Sequence, residues 1–150
     1  MLQVFAPVAG RSIEVSAVPD PVFARGLVGP GVAIAPRTGP QQAVAPISGR
    51  LVKLLPHAYV VVTETGTGVL VHLGVDTVHL QGEGFELLAR EDDEVSAGDA
   101  IVGWDPAEVE RAGRSPVCAV VVLDCDPGTV GQRVVDVDVD LEQLLFEVDC

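Results

Sequence analysis

The sequence predicts an all-β fold: a compact β-sandwich or flattened barrel, with one strand-turn-strand unit used twice and one or two short helices added. Three observations carry this. Apolar segments are short, rich in valine, and broken by 16 glycines and 11 prolines in 150 residues, which favours strands and tight turns over long helices. Aromatic residues make up only 4% of a chain that is 48% hydrophobic, so the core must be built mostly from Val, Leu, Ile and Ala. A kernel also recurs, Ala6-Pro7-Val8-Ala9-Gly10-Arg11 against Ala45-Pro46-Ile47-Ser48-Gly49-Arg50. Two copies are too few for a solenoid and suit one closed or face-to-face sheet. The length fits a single domain over residues 1–150, large enough to bury a core.

Taken in order, the first copy occupies 4–15 and the second 44–54. Between them Asp20-Pro21 starts a turn, and Gly29-Pro30-Gly31 interrupts an apolar run before Val32-Ala33-Ile34. Phe23, by its residue type alone, reads as core. A hairpin follows, HAYVVVTETGTGVLVHL, with strands near 58–63 and 67–75. A turn centred on Glu64-Thr65 sets His57 opposite His72; one centred nearer Gly66-Thr67 sets it opposite Asp76. Both registers have the same parity, so His57, His72 and Asp76 are expected on one sheet face. Glu91 to Glu94 reads as a solvated acidic loop, and Ala100-Ile101-Val102 as a short strand. Asp105-Pro106 gives a capping acid and a first-turn proline for a helix over Pro106 to Ala112, stopped by Gly113. Val117 to Leu123 is a buried strand. Val135, Val137 and Val139 alternate with Asp136, Asp138 and Asp140, as in a half-buried strand; a calcium loop is disfavoured because its glycine and terminal glutamate are missing. Leu141, Leu144, Leu145 and Val148 have the spacing of a short terminal helix.

The net charge of −13 excludes a phosphate-binding surface of the nucleic-acid kind. No apolar run approaches the ~18 residues of a membrane span, and the start, MLQVFAPVAG, lacks a basic segment leading into an apolar one. Cys118, Cys125 and Cys150 are odd in number and form no CxxC, which fits free thiols in a reducing cytosol, Cys125 included. The expectation is a soluble, cytoplasmic protein.

The chemistry centres on Gly66 to Phe85, GTGVLVHLGVDTVHLQGEGF, where His72 interrupts a valine-rich strand. Polar residues that break a pattern in this way tend to mark functional sites. Of the three histidines, His57, His72 and His79, two share the expected face. Three chemistries suit them. His72 can act as a nucleophile toward a phosphoryl group, with His57 donating to the phosphoryl oxygens and small Gly74 leaving room beside the reacting nitrogen. Alternatively, His72 and Asp76 form an HxxxD pair that binds zinc with His57, as in lysostaphin-type peptidases; the HxH pair those enzymes also need does not occur after His79. In the third, the histidines furnish only the interface of a non-catalytic regulatory module.

The stretch Gly66-Thr67-Gly68-Val69-Leu70-Val71-His72-Leu73-Gly74-Val75-Asp76-Thr77-Val78 closely resembles the phosphorylation-site signature of the glucose-type enzyme IIA family of the bacterial phosphoenolpyruvate-dependent sugar phosphotransferase system. Val4 to Gly10, Val18-Pro19-Asp20 with Val22-Phe23-Ala24, Gly31 to Ile34 with Pro36, Ala45-Pro46 with Gly49, His57-Ala58 and Gly82 to Phe85 follow in family order, so the likeness spans roughly residues 4 to 123. It implies phosphoryl transfer from the phosphocarrier HPr to His72 and onward to a cysteine of an enzyme IIB domain, for glucose or N-acetylglucosamine uptake. It makes His57 the second active-site histidine, Asp76 and Asp20 acids at the rim, and Phe23 part of an apolar partner surface. It also implies regulatory target proteins and no required cofactor, with zinc shared between the two histidines and a partner's carboxylate. Two departures are visible: the family commonly has threonine two positions before the second histidine, whereas Leu55-Pro56 precede His57 here, and the likeness weakens beyond Leu123, so that Asp124 to Cys150 is read by pattern only.

Overall fold

The structure is a computed structural model describing residues 1–150. The chain forms β1 (Leu2–Phe5), β2 (Gly10–Glu14), α1 (Pro21–Ala24), β3 (Gly31–Pro36), β4 (Gln41–Val44), β5 (Gly49–Leu55), β6 (Ala58–Val62) and β7 (Gly68–Leu73). It continues with β8 (Phe85–Leu87), β9 (Glu94–Val95), β10 (Ala100–Trp104), α2 (Pro106–Arg111), β11 (Cys118–Val122), β12 (Val130–Gly131), β13 (Asp138–Val139) and β14 (Leu144–Val148). Eight strands make one sheet in the order β13-β2-β3-β11-β7-β6-β5-β9. Two three-stranded sheets, β1-β14-β12 and β4-β10-β8, complete the fold. All neighbours are antiparallel, and no sheet closes on itself, so the sandwich form of the expected fold is the one present.

The main core holds 25 buried residues. Val4, Ala43, Ile101 and Phe146 of the small sheets meet Val32, Tyr59, Val61, Val71 and Val120 of the large one. Its few aromatics include Tyr59, whose buried hydroxyl donates to the Val44 carbonyl at 2.7 Å; this satisfies a group that burial would otherwise penalise. A second cluster, Val18, Phe23, Ala33, Val75, Ala119 and Val121, lies on the other face of the large sheet. There the segment through α1 folds back over the strands.

The duplication seen in the kernel extends through the whole chain. Phe5 N–H donates to the Pro46 carbonyl and Val44 N–H to the Pro7 carbonyl, both at 2.9 Å, so the two copies bond each other reciprocally. Ala6 donates to Gln143 and accepts from Glu142, while Ala45 donates to Asp99 and accepts from Gly98. Glu142 and Gly98 both have positive φ. Gly10 lies opposite Val139, and Gly49 opposite Val95. One copy is continuous, β4 to β10; the other is split, β1 to β3 with β11 to β14, and encloses it. At Gly10 and Gly49 a Cβ would collide with the carbonyl oxygens of Ala35 and Val62 respectively, so both copies need glycine at the same place for the same reason.

Two expectations near the C-terminus are corrected. Leu144 to Val148 form a strand, β14, rather than a helix, and pair with β1 from Leu2 opposite Val148 to Phe5 opposite Leu144. A short apolar run satisfies both periods, and the open edge of β1 decides between them. The alternating Val-Asp segment contributes only Asp138–Val139 as strand, because Asp136 takes φ 61° and breaks it. The predicted helix is present as α2, with the Asp105 carboxylate accepting from Ala107 N–H at 2.9 Å. The Asp20-Pro21 turn is a one-turn helix, α1, capped by the Asp20 carboxylate on Val22 N–H.

Candidate functional site

β7 carries His72 in the middle of the large sheet, between β6 and β11, with Ala58 opposite it on one side and Ala119 on the other. These small neighbours leave the imidazole room above the sheet. The observed register centres the hairpin on Thr65, which reverses the expected parity: Ala58 lies opposite His72, and His57 pairs with neither His72 nor Asp76 on a shared strand face. His57 instead occupies the two-residue turn Pro56-His57 that joins β5 to β6, where Leu55 pairs with Ala58. Proline at the first central position presets that turn, and the His57 carbonyl accepts from Leu73 N–H at 2.7 Å. From there its ring reaches His72 edge-on, with ring centroids 5.2 Å apart and planes at 71°. The two imidazoles therefore meet, as expected, but by a turn leaning over the strand rather than by cross-strand pairing.

The Nδ1 of His72 lies 2.7 Å from the Gly74 carbonyl oxygen. A carbonyl only accepts, so Nδ1 carries the proton and Nε2 of the neutral ring keeps its lone pair. Burial pushes the His72 pKa below its ordinary 6.5. The Gly74 hydrogen bond and the Asp20 and Asp76 carboxylates oppose this without reversing it. His57 is lowered as well, by burial and then by the charge of His72. Both shifts favour the neutral ring.

Gly74 is required by the backbone of its loop. Its φ is +87°, and a Cβ would meet Thr77 Cγ2 at 2.6 Å and the Ser115 carbonyl oxygen at 2.9 Å. The lack of a side chain serves the tight loop that aims its carbonyl at His72. Phe23 lies beside His72. It is only 6% exposed, and its ring sits 5.2 Å from that of His72. It is a wall of the site, as its residue type alone suggested. The exposed apolar residues beside it are Val22 and Leu27, with Val78 beyond the Gly74 loop. Asp20 is half-buried and Asp76 exposed, both near enough to act on His72. His79 is exposed in the turn after Asp76.

No group of three His, Cys, Asp or Glu side chains that could hold a metal ion comes together in the chain. His72, Asp76 and His57 therefore do not form the three-ligand set a catalytic zinc needs. No hydroxyl bonds either imidazole, in keeping with Leu55 in place of the family's threonine. The residues that sequence reasoning left without a role are Thr77 and Ser115. Thr77 is fully buried, with its hydroxyl donating to the Leu73 carbonyl at 2.8 Å. The Ser115 carbonyl accepts from Val75 N–H at 2.8 Å. Thr77 left no signal in the sequence, since the left-handed Asp76 beside it, at φ 57°, is a feature of the folded chain; Ser115 acts through its backbone and leaves none. Cys125 is corrected too: it is paired with Cys150, their Cα atoms 5.9 Å apart. Cys118 is free and buried, and burial raises its thiol pKa. No helix is long and apolar enough to cross a membrane.

Comparison with known proteins identifies the family. The profile of the family described as phosphoenolpyruvate-dependent sugar phosphotransferase system, EIIA 1, matches residues 2–127. The glucose-specific EIIA component of Halalkalibacterium halodurans is 40% identical over 132 residues, covering 87% of this chain and 75% of the relative. That of Staphylococcus aureus is 35% identical over 127 residues, covering 83% and 75%. The solved glucose permease IIA from Mycoplasma capricolum superposes with a TM-score of 0.88 at 34% identity, over 97% of this chain and 94% of that one. A shared profile, shared sequence and a shared fold around the paired histidines lead to one conclusion: the chain belongs to the EIIA 1 family of the phosphoenolpyruvate-dependent sugar phosphotransferase system.

Proposed function

We propose that the chain fulfils its family's phosphocarrier role through a phosphohistidine on Nε2 of His72. Its donor would be phospho-HPr and its acceptor a cysteine of an enzyme IIB domain, on the cytoplasmic side of a sugar permease. The observation that carries this reading is the 2.7 Å contact of Nδ1 with the Gly74 carbonyl, which leaves Nε2 as the nucleophilic nitrogen of the His72 ring. In the first transfer the N–P bond of the donor breaks as the bond from Nε2 forms, and the donor imidazole takes up a proton. In the second, the Nε2–P bond breaks as a thiolate attacks phosphorus. Little covalent work falls to the protein, so positioning and charge stabilisation dominate.

His57 would hydrogen-bond the phosphoryl oxygens, since its ring has no other partner in the site and lies beside that of His72. Asp20 and Asp76 would face basic groups of the docking protein, with Val22, Leu27 and Val78 supplying apolar contact. The two imidazoles would also offer zinc two nitrogen donors if a partner supplied a carboxylate; this chain contributes no third donor.

The test is transfer of labelled phosphate from phosphoenolpyruvate through enzyme I and HPr. The expected product is an acid-labile, base-stable label that is lost in His72→Ala. His57→Ala should still accept phosphate but pass it to enzyme IIB at least about tenfold more slowly. Normal onward transfer by that variant removes the role given to His57. Absence of label together with tightly bound zinc would favour the hydrolase.

A further inference from the structure

We infer that Thr77 is a positioning residue for phosphoryl transfer: its hydroxyl clamps the Leu73 carbonyl, and through Leu73, whose N–H in the preceding peptide bonds the His57 carbonyl, it fixes both His57 and the Gly74 carbonyl that holds Nδ1 of His72. The inference rests on His72 being the phosphoryl acceptor. Leu73 is fully buried and bonded at both backbone groups. Its N–H donates to the His57 carbonyl at 2.7 Å, and its carbonyl accepts from Thr77 Oγ1 at 2.8 Å. The residue after the acceptor therefore ties the His57 turn to the loop that orients the acceptor.

That loop has little intrinsic preference for its shape. Gly74 and Asp76 both have positive φ, a conformation that costs a non-glycine residue about 1–2 kcal/mol. Something must hold it, and Thr77 does so with both arms of its side chain. Oγ1 closes the loop back onto Leu73, while Cγ2 fills the space a Gly74 Cβ would need.

A buried threonine with a satisfied hydroxyl is common, so structural need alone could explain it. The split copy of the fold serves as an internal control. There Val122 N–H donates to the Pro30 carbonyl at 2.8 Å, as Leu73 does to His57. Pro30 thus stands in place of His57, and Val121 in place of His72. The chain beyond Val122 runs Leu123-Asp124-Cys125-Asp126, with Asp126 in the place of Thr77 and no hydroxyl on the Val122 carbonyl; Thr129 bonds the Asp126 carbonyl further on, and Cys125 is paired with Cys150. The architecture can make this strand end without the hydroxyl clamp. It has the clamp in the copy that holds the imidazoles.

Thr77→Val keeps the shape and removes the hydroxyl; Thr77→Ser keeps the hydroxyl and removes the methyl. In nitrogen-15 spectra of the histidine rings, His72 of the native chain should be the Nδ1–H tautomer. Thr77→Val should mix the tautomers and lower the His72 pKa further, because the Gly74 hydrogen bond raises it. In the labelling assay its kcat should fall about ten- to a hundredfold, with KM for phospho-HPr within about twofold. Thr77→Ser should restore the tautomer and most of the rate. If valine at 77 prevents folding, Thr77→Ala replaces it in both measurements. A hydroxyl-less variant that folds with native tautomer and rate overturns the inference, as does a folded Thr77→Ser that loses both. Failure of the underlying reading looks different: the native chain itself would take no label, while the tautomer measurement would still report on the clamp.

Discussion

Two imidazoles within reach of each other and held neutral by burial are a device for which pH is the natural probe. Both folded pKa values lie below 6.5. Between those values and 6.5 the unfolded chain binds more protons, so stability rises with pH across that window. It is lost as pH falls from about 6.5 through the folded values. A histidine-resolved NMR titration should find both rings below 6.5. Asp76→Asn and Asp20→Asn should each lower the His72 value further, since both carboxylates favour its cation; asparagine at 20 still caps α1. A His72 that titrates at 6.5 or above would contradict the burial argument. At this scale the sequence was informative about identity and less so about geometry. His72 stood out as a polar residue in a valine strand, and His57 by its place in the resemblance. How they meet was not legible, because a one-residue shift of the hairpin reverses facing and His57 proved to belong to a turn. The purpose of Gly74 was equally hidden, since it depends on Thr77 and on Ser115, which is far away in the chain.

Among the elements, those bounded by strong punctuation were readable. The hairpin strands followed from valine runs between glycines, β11 from a valine run between Pro116 and Asp124, and α2 from Asp105-Pro106 and Gly113. β14 was missed because five residues with three buried side chains fit either period, and only the neighbouring β1 selects a strand. The Cys125–Cys150 link was missed because three cysteines without a motif carry no pairing information. It closes a separation of 25 residues, so its reduction should remove at most roughly 3–4 kcal/mol of stability. The expected result is a lower urea midpoint under reducing conditions or in Cys150→Ser, with the His72 labelling rate unchanged. An unchanged midpoint would mean that the link is not formed in solution.

In the whole molecule the reciprocal bonds between the copies matter most. The six-residue kernel announced a repeat, but its extent was hidden: the later strands keep the hydrogen bonds of their counterparts and little of their sequence, as Gly98 and Glu142 illustrate. Gly10→Ala and Gly49→Ala should be similarly costly, each about 1–3 kcal/mol, because each forces a Cβ against the carbonyl of a neighbouring strand. Denaturant midpoints would measure this, and a large inequality would show that the two places are not equivalent. The nesting of one copy within the other also governs where the chain ends emerge. Leu2 lies opposite Val148, and Met1 and Cys150 share one depression with the Thr63 to Thr67 turn. β7 leads away from that turn, so His72 sits roughly 15 Å further along the strand at ~3.3 Å per residue. Cargo tethered to either terminus would hang from the pole remote from the imidazoles. A fused neighbour could then swing freely without shading the surface where phosphate must arrive and depart.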